Sequence, residues 1–323
     1  MEIVVVGCKG FGQVHLRSIR NADIGIVERD PEVRRKTLES FDVAHVYDSY
    51  EDALNSRAEI IDLAVPHNLH FEMATAAMRR GKHVTIEKPI STTLGEARDM
   101  IETSRRNGVK FMVLEQYFFD PSVREAIRIV KSGSLGKIHT IIIRDQRLYS
   151  KEGWRTEAAS MGGGALIDGG IHYIDTMLNI GGPYVDLWAR SVHGGSSLSG
   201  EDTTSAVFTF SSGATGLFYY SWSYRNPPIL PGLEVIGSDG SLYEDISSRS
   251  REDFQNSQRK TAFGDLVLNG KKLNVQPYDV FQAEFDQFLD SVAQDTQVPY
   301  DPELAYRDLE AVLRIYGQNR SMN

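Results

Sequence analysis

The sequence predicts an α/β protein with two successive domains: an N-terminal Rossmann domain, whose parallel sheet is doubly wound, and a C-terminal α+β domain with a large, open, mainly antiparallel sheet. The first prediction rests on six short β-rich runs that alternate with helical patterns up to about residue 118. The second rests on longer alternating runs that meet at Ser-Gly or Asp-Gly pairs, which favour hairpins. We therefore predict domains over residues 1–118 and 119–323.

The first domain is assembled from strands and helices with recognisable ends. Asp30 followed by Pro31 is typical of a helix start, and Gly81 and Gly108 stand where a glycine ends a helix. Helices are predicted over 70–81 and 94–108. The strands are EIVVV (2–6), IGIV (24–27), AHV (44–46), IIDLAV (60–65), HVTIE (83–87) and KFMVLE (110–115).

The second domain begins after a linking helix in residues 120–136. Its predicted strands lie within 137–149, 204–222 and 232–244, and its predicted helices lie near 164–180, 279–294 and 302–319. The polar stretch 247–260 is predicted to be a loop.

Composition limits the partners that this chain is expected to bind. With 44 acidic and 35 basic residues the net charge is -9, which argues against nucleic acid and membrane surfaces and favours a small molecule. The single cysteine, Cys8, excludes an intrachain disulfide, and no Cys/His cluster has zinc spacing. The first apolar run is too short for a signal peptide, so a cytoplasmic location is expected.

The loop after the first strand, GCKGFGQVH (7–15), resembles a phosphate-binding turn with one change. Gly7 and Gly12 hold the outer positions of G-x-G-x-x-G, but Lys9 replaces the middle glycine and Gly10 follows it. Because a helix N-terminus favours anions, we expect this loop, including Phe11, to bind a dinucleotide.

Glu28 ends the second predicted strand, 21 residues after Gly7. An acidic side chain there accepts hydrogen bonds from an adenosine ribose, which favours NAD. Arg29 is able to accept a 2'-phosphate instead, so NADP stays an alternative. Glu28 is also open to another interpretation, in which it only helps Asp30 to cap the next helix.

Polar residues also follow the fourth and fifth strands. The first group runs from Pro66 through His67 to His70, and the second comprises Glu87 and Lys88. The carboxyl ends of parallel strands face the ligand crevice, so these groups are predicted to lie near the nicotinamide and substrate. The alternatives are an exposed Glu-Lys pair and histidines that make surface hydrogen bonds.

Residues 162–178 carry a third group of candidate catalytic side chains. Asp168 and His172 are four residues apart, close enough on a helix to form a hydrogen bond that orients the imidazole. Gly169 and Gly170 between them are costly inside a helix, which suggests that something flat packs there and argues against a merely solvated face. No third ligand for a metal is evident, so no metal is predicted.

These motifs together resemble the Gfo/Idh/MocA oxidoreductases over nearly the whole chain. The most specific matches are EKP at 87–89 and D-x-G-x-H at 168–172, supported by GKHV at 81–84, GWR at 153–155 and GSDGSL at 237–242. The resemblance implies hydride transfer between NAD(P) and the CH-OH group of a sugar, polyol or related compound. It also implies a homodimer or homotetramer formed through the C-terminal sheet.

The resemblance further assigns roles to individual residues. It makes His172 the general base, Asp168 the group that orients it, and Lys88 the cation that stabilises the alkoxide. Trp154, Arg155 and Tyr173 become candidate substrate contacts.

This chain departs from the family pattern at Tyr117 and Phe118, where many relatives carry arginines, so a neutral substrate is expected. The alternatives are an NAD-dependent glycosidase of the same fold, a dinucleotide-sensing regulator without catalysis, and a reductase of a non-sugar ring.

Overall fold

A computed structural model describes residues 1–247 and 263–320. The loop predicted at 247–260 lies outside this part of the chain except for its first residue. Two compact units are present: Met1–Glu115 with Phe281–Arg307, and Gln116–Val280 with Asp308–Asn323. The predicted domain boundary after residue 118, which divides the chain by function, stays a prediction.

The first unit contains a six-stranded parallel sheet, which confirms the predicted Rossmann domain. Its strand order is β3-β2-β1-β4-β5-β6, so the order reverses between β1 and β4, where such sheets bind ligands. The strands are β1 Glu2–Val6, β2 Asp23–Val27, β3 His45–Tyr47, β4 Ile60–Leu63, β5 His83–Glu87 and β6 Phe111–Leu114. The helices are α1 Phe11–Ser18, α2 Pro31–Ser40, α3 Tyr50–Asn55, α4 His70–Arg79, α5 Leu94–Asn107 and, from the C-terminal part of the chain, α9 Val280–Ala293.

The helix ends in this unit follow from local hydrogen bonding. The Asp30 carboxylate accepts from the backbone N–H groups of Glu32 and Val33, as a capping residue should. Gly108 adopts the left-handed conformation (φ 63°) that closes α5.

The second unit contains an eight-stranded sheet of order β14-β13-β12-β11-β7-β10-β9-β8. Among the described residues of this sheet only β10 and β7 pair in parallel, so the predicted mainly antiparallel sheet is confirmed. The strands are β7 Ile138–Gln146, β8 Tyr184–Val192, β9 Thr203–Phe210, β10 Thr215–Ser221, β11 Leu233–Gly237, β12 Ser241–Glu244, β13 Leu266–Leu268 and β14 Lys271–Lys272. The helices are α6 Pro121–Lys131, the short α7 Ala158–Met161 and α8 Ile171–Gly181, and the last helix of the chain is α10 Pro302–Arg320.

The helix predicted near 164–180 differs from a regular α-helix. Residues Leu166–Gly170 form a π-helical turn, and α8 begins only at Ile171. Such turns are often found at functional sites.

The two faces of the second sheet have different surroundings. Phe208 and Phe218 point into the core, whereas Trp188 (57% exposed) and Leu217 (40% exposed) lie on the other face. Cross-strand pairing places Trp188 opposite Val207, and Val207 opposite Leu217, so they form one apolar row. No helix in the described residues is long and apolar enough to cross a lipid bilayer.

Candidate cofactor and active site

The loop after β1 is closed by glycines that admit no side chain. A Cβ on Gly7 (φ 90°) would lie 2.5 Å from the carbonyl oxygen of Ala64, and a Cβ on Gly12 would overlap the carbonyl oxygen of Gly7. The Gly7 N–H donates to the carbonyl oxygen of Val27 at 2.9 Å. The loop and the start of α1 are therefore packed backbone to backbone, as in a phosphate-binding turn.

Lys9 and Gly10 form the outer part of the same loop. Lys9 is exposed, and Gly10 has a positive φ of 59° with no atom of the described residues within 4 Å of the position of a Cβ. The Gly12 N–H donates to the carbonyl oxygen of Lys9 at 3.2 Å. Gly10 thus supplies the backbone freedom that the missing middle glycine would have given. Phe11 is the first residue of α1.

The Glu28 carboxylate joins this loop to the end of β2. It accepts from the Cys8 N–H at 2.8 Å and from the Asp30 N–H at 2.9 Å. A carboxylate has about four lone-pair sites, so these bonds leave capacity for a ribose hydroxyl. Capping of α2 comes from Asp30 itself. Arg29 is exposed beside Glu28.

His70 connects the loops after β4 and β5. Its Nδ1 lies 2.8 Å from the Pro89 carbonyl oxygen and its Nε2 lies 3.1 Å from the Val65 carbonyl oxygen. Burial lowers the pKa of His70 to about 4, so the neutral ring donates to one carbonyl at a time. His67 is also buried, with its ring 5.5 Å from that of His70. The alternative of surface histidines is therefore wrong, since both are interior groups, and Pro66 precedes them at the strand end.

Glu87 and Lys88 close β5 and are 6% and 5% exposed. The alternative of an exposed ion pair is therefore wrong. Glu87 is the last residue of the strand, and its Oε1 lies 2.9 Å from His15 Nε2. A lysine buried beside it is unusual for a structural residue and suits a reactive group.

In the second unit, Asp168 lies in the π-helical turn and is buried. Its Oδ2 is 3.5 Å from Arg155 Nε and 3.6 Å from Lys151 Nζ. Two cations therefore stabilise the carboxylate. The predicted hydrogen bond between Asp168 and His172 stays a prediction.

His172 is buried on α8 between two side chains from the segment after β6. The ring of Tyr117 stacks on the imidazole, with centroids 4.6 Å apart and planes at 21°. The amide Nε2 of Gln116 lies 3.5 Å from His172 Nε2. In the tautomer that leaves Nε2 unprotonated, this nitrogen would accept from the amide in a long contact and would be able to act as a general base.

The π-helical turn is anchored by Glu201 and Tyr316. The Leu166 N–H donates to Glu201 Oε1 at 2.7 Å, and the Ile167 N–H donates to the Tyr316 hydroxyl at 3.2 Å. The Tyr316 hydroxyl in turn donates to Glu201 Oε1 at 3.0 Å. These bonds hold the backbone that carries Asp168.

Gly169 and Gly170 face the aromatic side chains of β10 and its extension. A Cβ on Gly169 would overlap the Tyr220 hydroxyl and lie 2.6 Å from the Trp222 ring, and one on Gly170 would lie 3.1 Å from Tyr220. The flat groups inferred from the two glycines are thus the chain's own aromatic rings. The helix is buried on this side, so the solvated-face alternative is wrong.

The remaining predicted substrate contacts differ in accessibility. The Arg155 guanidinium lies 4.5 Å from the Trp154 ring centroid, and both side chains are half-buried. Tyr173 is buried, and its hydroxyl accepts from the Tyr117 hydroxyl at 3.2 Å. A direct substrate contact therefore suits Trp154 and Arg155 better than Tyr173.

Sequence analysis missed an ionic cluster beneath the cofactor loop. His15, 1% exposed, places Nδ1 2.8 Å from Asp62 Oδ2 and Nε2 2.9 Å from Glu87 Oε1. Burial alone would lower the pKa of His15, but the two carboxylates outweigh it and raise the pKa to about 10. In the sequence, only the position of His15 three residues after Gly12 pointed to this cluster, and that position did not indicate which residues His15 would contact.

This pKa predicts that stability depends on pH in the alkaline range. The His15 proton is bound more tightly in the folded protein (pKa about 10) than in the unfolded chain (about 6.5). Its contribution to the free energy of unfolding is therefore complete below pH 6.5 and is lost as the pH rises towards 10, by at most about 1.4 kcal/mol per pH unit. Urea unfolding at a series of pH values measures the slope. An NMR resonance of His15, assigned with His15→Gln, that titrates near pH 6.5 would contradict this prediction.

Among residues 1–247 and 263–320, no group of three or more His, Cys, Asp or Glu side chains is arranged to hold a metal ion.

Comparison with known proteins decides the family. Residues 1–115 match the family model described as oxidoreductase family, NAD-binding Rossmann fold, and residues 123–243 match the GFO/IDH/MocA C-terminal domain. The chain belongs to the Gfo/Idh/MocA oxidoreductase family. The resemblance inferred from the EKP and D-x-G-x-H motifs is confirmed.

Relatives within the Gfo/Idh/MocA family include named sugar and polyol dehydrogenases. The D-apiose dehydrogenase of Paraburkholderia graminis is 25% identical over 74% of this chain and 66% of that enzyme, slightly less than two thirds of its length. The myo-inositol 2-dehydrogenase of Thermotoga maritima is 26% identical over 76% of this chain and 75% of that enzyme. The WlbA dehydrogenase of Bordetella pertussis, solved with NADH and UDP-GlcNAcA, has the same fold, with a TM-score of 0.82, 20% identity, and coverage of 99% and 97% of the two chains.

Proposed function

We propose that this protein is an NAD(P)-dependent oxidoreductase that transfers a hydride between nicotinamide and the CH-OH carbon of a neutral sugar, polyol or related compound. The observation that carries the proposal is the buried His172, whose imidazole stacks on Tyr117 and lies 3.5 Å from the Gln116 amide, within a chain that belongs to an oxidoreductase family. The relatives named D-apiose dehydrogenase and myo-inositol 2-dehydrogenase support the substrate class.

The residues of the first unit fit a dinucleotide. The backbone at Gly7 and Gly12 leaves no space for a Cβ, so the loop is able to approach a pyrophosphate, and the N-terminus of α1 favours its charge. Glu28 would accept hydrogen bonds from the ribose hydroxyls. Arg29 is the group that would bind a 2'-phosphate, to which its guanidinium would donate. When bound, the nicotinamide accepts or donates the hydride.

The protein's own side chains would handle the proton and the charge. In oxidation, His172 takes the hydroxyl proton while the carbon loses a hydride, which leaves a carbonyl and an imidazolium. Lys88 would stabilise the negative charge that develops on the oxygen. Asp168 would hold a neighbouring hydroxyl or orient the base.

A screen of aldoses, polyols and inositols with NAD and NADP, followed by the absorbance of the reduced nicotinamide, tests the proposal. Turnover of one neutral class is the expected result, and uronates serve as charged comparators. Release of a glycosyl leaving group with retained cofactor would favour the glycosidase, and turnover of an aromatic dihydrodiol only would favour the ring reductase. Cofactor binding without any turnover would favour the regulator.

The altered loop predicts a graded effect of Lys9 on cofactor affinity. A mobile ammonium near the pyrophosphate partly neutralises it, so Lys9→Ala is expected to weaken binding, and Lys9→Gly is expected to weaken it less because the Cβ is removed with the charge. Calorimetric titration with NAD and NADP at low and high salt measures the effect. Unchanged affinity in both variants would show that Lys9 serves only as a surface residue.

The apolar row on the second sheet predicts self-association. Trp188 and Leu217 are exposed in adjacent strands, and a contiguous apolar sheet face commonly marks an interface. We therefore propose a homodimer or homotetramer in which a second copy covers this face, and a cytoplasmic location. Sedimentation should show dissociation in Trp188→Glu but not in Leu38→Glu, an exposed leucine on α2. A wild-type protein that is monomeric at all concentrations would contradict the proposal.

A further inference from the structure

The cluster around His15 joins three elements that each lead to a residue of the candidate cofactor site. His15 lies on α1, which begins at the glycine loop, Asp62 lies on β4, and Glu87 is the last residue of β5. Both imidazole nitrogens face carboxylate oxygens, at 2.8 and 2.9 Å. Both must therefore donate, and the ring bridges α1 to the two strands as an imidazolium.

The surrounding side chains fix the geometry of this bridge. Thr85 on β5 donates to Asp62 Oδ1 at 2.8 Å, which orients the Asp62 carboxylate towards His15. The ring of Phe285 on α9 meets the imidazole edge-on, with centroids 5.2 Å apart. Next to it, burial and the Glu87 charge raise the pKa of Glu284 well above its usual range, which favours its neutral form.

A buried ionic bridge is poor evidence for a purely stabilising role. Well-packed apolar side chains of the same volume often stabilise a fold as well or better, because they carry no desolvation cost. Such a bridge fixes the relative positions of the side chains that form it, because charge-assisted hydrogen bonds tolerate little displacement of their atoms. The displacement that matters here is at Glu87, because the next residue is Lys88.

We propose that His15 is a positioning residue that acts through Glu87 on Lys88 and couples the position of the glycine loop to that of the β5 end. The inference rests on the proposed function, because Lys88 needs precise placement only if it acts on a substrate beside a bound cofactor. Loss of the bridge would free the β5 end while the remainder of the sheet keeps its packing.

Hydrogen exchange of the full-length protein without cofactor tests the coupling directly. His15→Gln and Glu87→Gln each remove one charge of the bridge with little change of shape. The matched control is His83→Asn, at the other end of β5, where His83 Nδ1 accepts from the Lys110 N–H at 2.9 Å. Exchange is compared in residues 7–18, residues 83–92 and α5.

The proposal expects both bridge variants to raise exchange by about tenfold or more in 7–18 and in 83–92, with α5 unchanged. His83→Asn should leave residues 7–18 unchanged. A uniform rise that includes α5 would show that His15 only stabilises the unit and would overturn the proposal, as would a rise confined to 7–18. If His15→Gln does not fold, Glu87→Gln gives the same discrimination.

The effect of NAD on hydrogen exchange distinguishes a failure of this inference from a failure of the proposed function. In the wild type, NAD is expected to slow exchange in both segments, and in His15→Gln it should slow exchange in 7–18 only. Absence of any effect of NAD on the wild type would count against the proposed function, while the comparison without cofactor would still decide the role of His15. With a substrate in hand, His15→Gln should lower kcat by about 10²-fold with KM nearly unchanged.

Discussion

Replacing His172 or Lys88 by alanine is expected to reduce turnover by about 10²- to 10⁴-fold, the usual contribution of a general acid-base group. His172 is buried with its imidazole stacked on Tyr117, and Lys88 is one of two buried lysines among the described residues of the first unit. Both are assigned to the reacting hydroxyl, so affinity for NAD should change little.

The matched controls for these two substitutions remove a histidine or a lysine outside the candidate site. His139→Ala on β7 and Lys36→Ala on α2 remove exposed groups and should leave kcat unchanged. His172→Asn preserves much of the volume beneath Tyr117 and separates the loss of the base from the loss of packing. Near-wild-type turnover in Lys88→Ala or His172→Ala would show that the assignment is incorrect.

Gly12→Ala is expected to abolish measurable binding of NAD. The new Cβ would overlap the carbonyl oxygen of Gly7, and no side-chain rotation relieves the overlap because the oxygen is a backbone atom and the backbone of residue 12 fixes the Cβ. The start of α1 must therefore shift away from the loop, which removes the close approach that a pyrophosphate needs. Isothermal titration with NAD measures the loss.

Gly95→Ala is the matched control for this substitution. Gly95 lies in α5 with no atom of the described residues within 4 Å of its Cβ position, and alanine there should stabilise the helix by up to about 1 kcal/mol. Tight NAD binding by Gly12→Ala would mean that the cofactor does not approach this loop.

The strands and several helix ends of the first unit were predictable because local sequence patterns indicate them, whereas the packing of α9 in this unit was not, since the sequence analysis placed that helix in the second domain. Strands buried on both faces appear as short runs of Val and Ile, and helix ends carry Asp30 or Gly108, so neither depends on distant residues. For the second sheet, the mainly antiparallel character was predictable, but the order and pairing of its strands were less so. The parallel pairing of β10 with β7 joins segments about 75 residues apart, and no turn motif encodes it.

The chemical surroundings of the site were the least predictable part. His15 pairs with residues 47 and 72 positions away in the chain, and a lone histidine in a loop-helix motif gives no indication of either. Lys151 beside Asp168 is likewise a product of tertiary packing. Asp168 and His172 themselves were identifiable because costly glycines stand between them, although the π-helical turn that carries Asp168 was not.

The return of the chain to the first unit has a consequence for the order in which the protein is made. The segment Phe281–Arg307 packs with Met1–Glu115, and its Phe285 covers the ring of His15. The ribosome therefore completes the segment Met1–Glu115 long before it has synthesised the helix that carries Phe285. Until then the His15 ring lacks its contact with Phe285, and the sheet and helices of Met1–Glu115 must hold the bridge without α9.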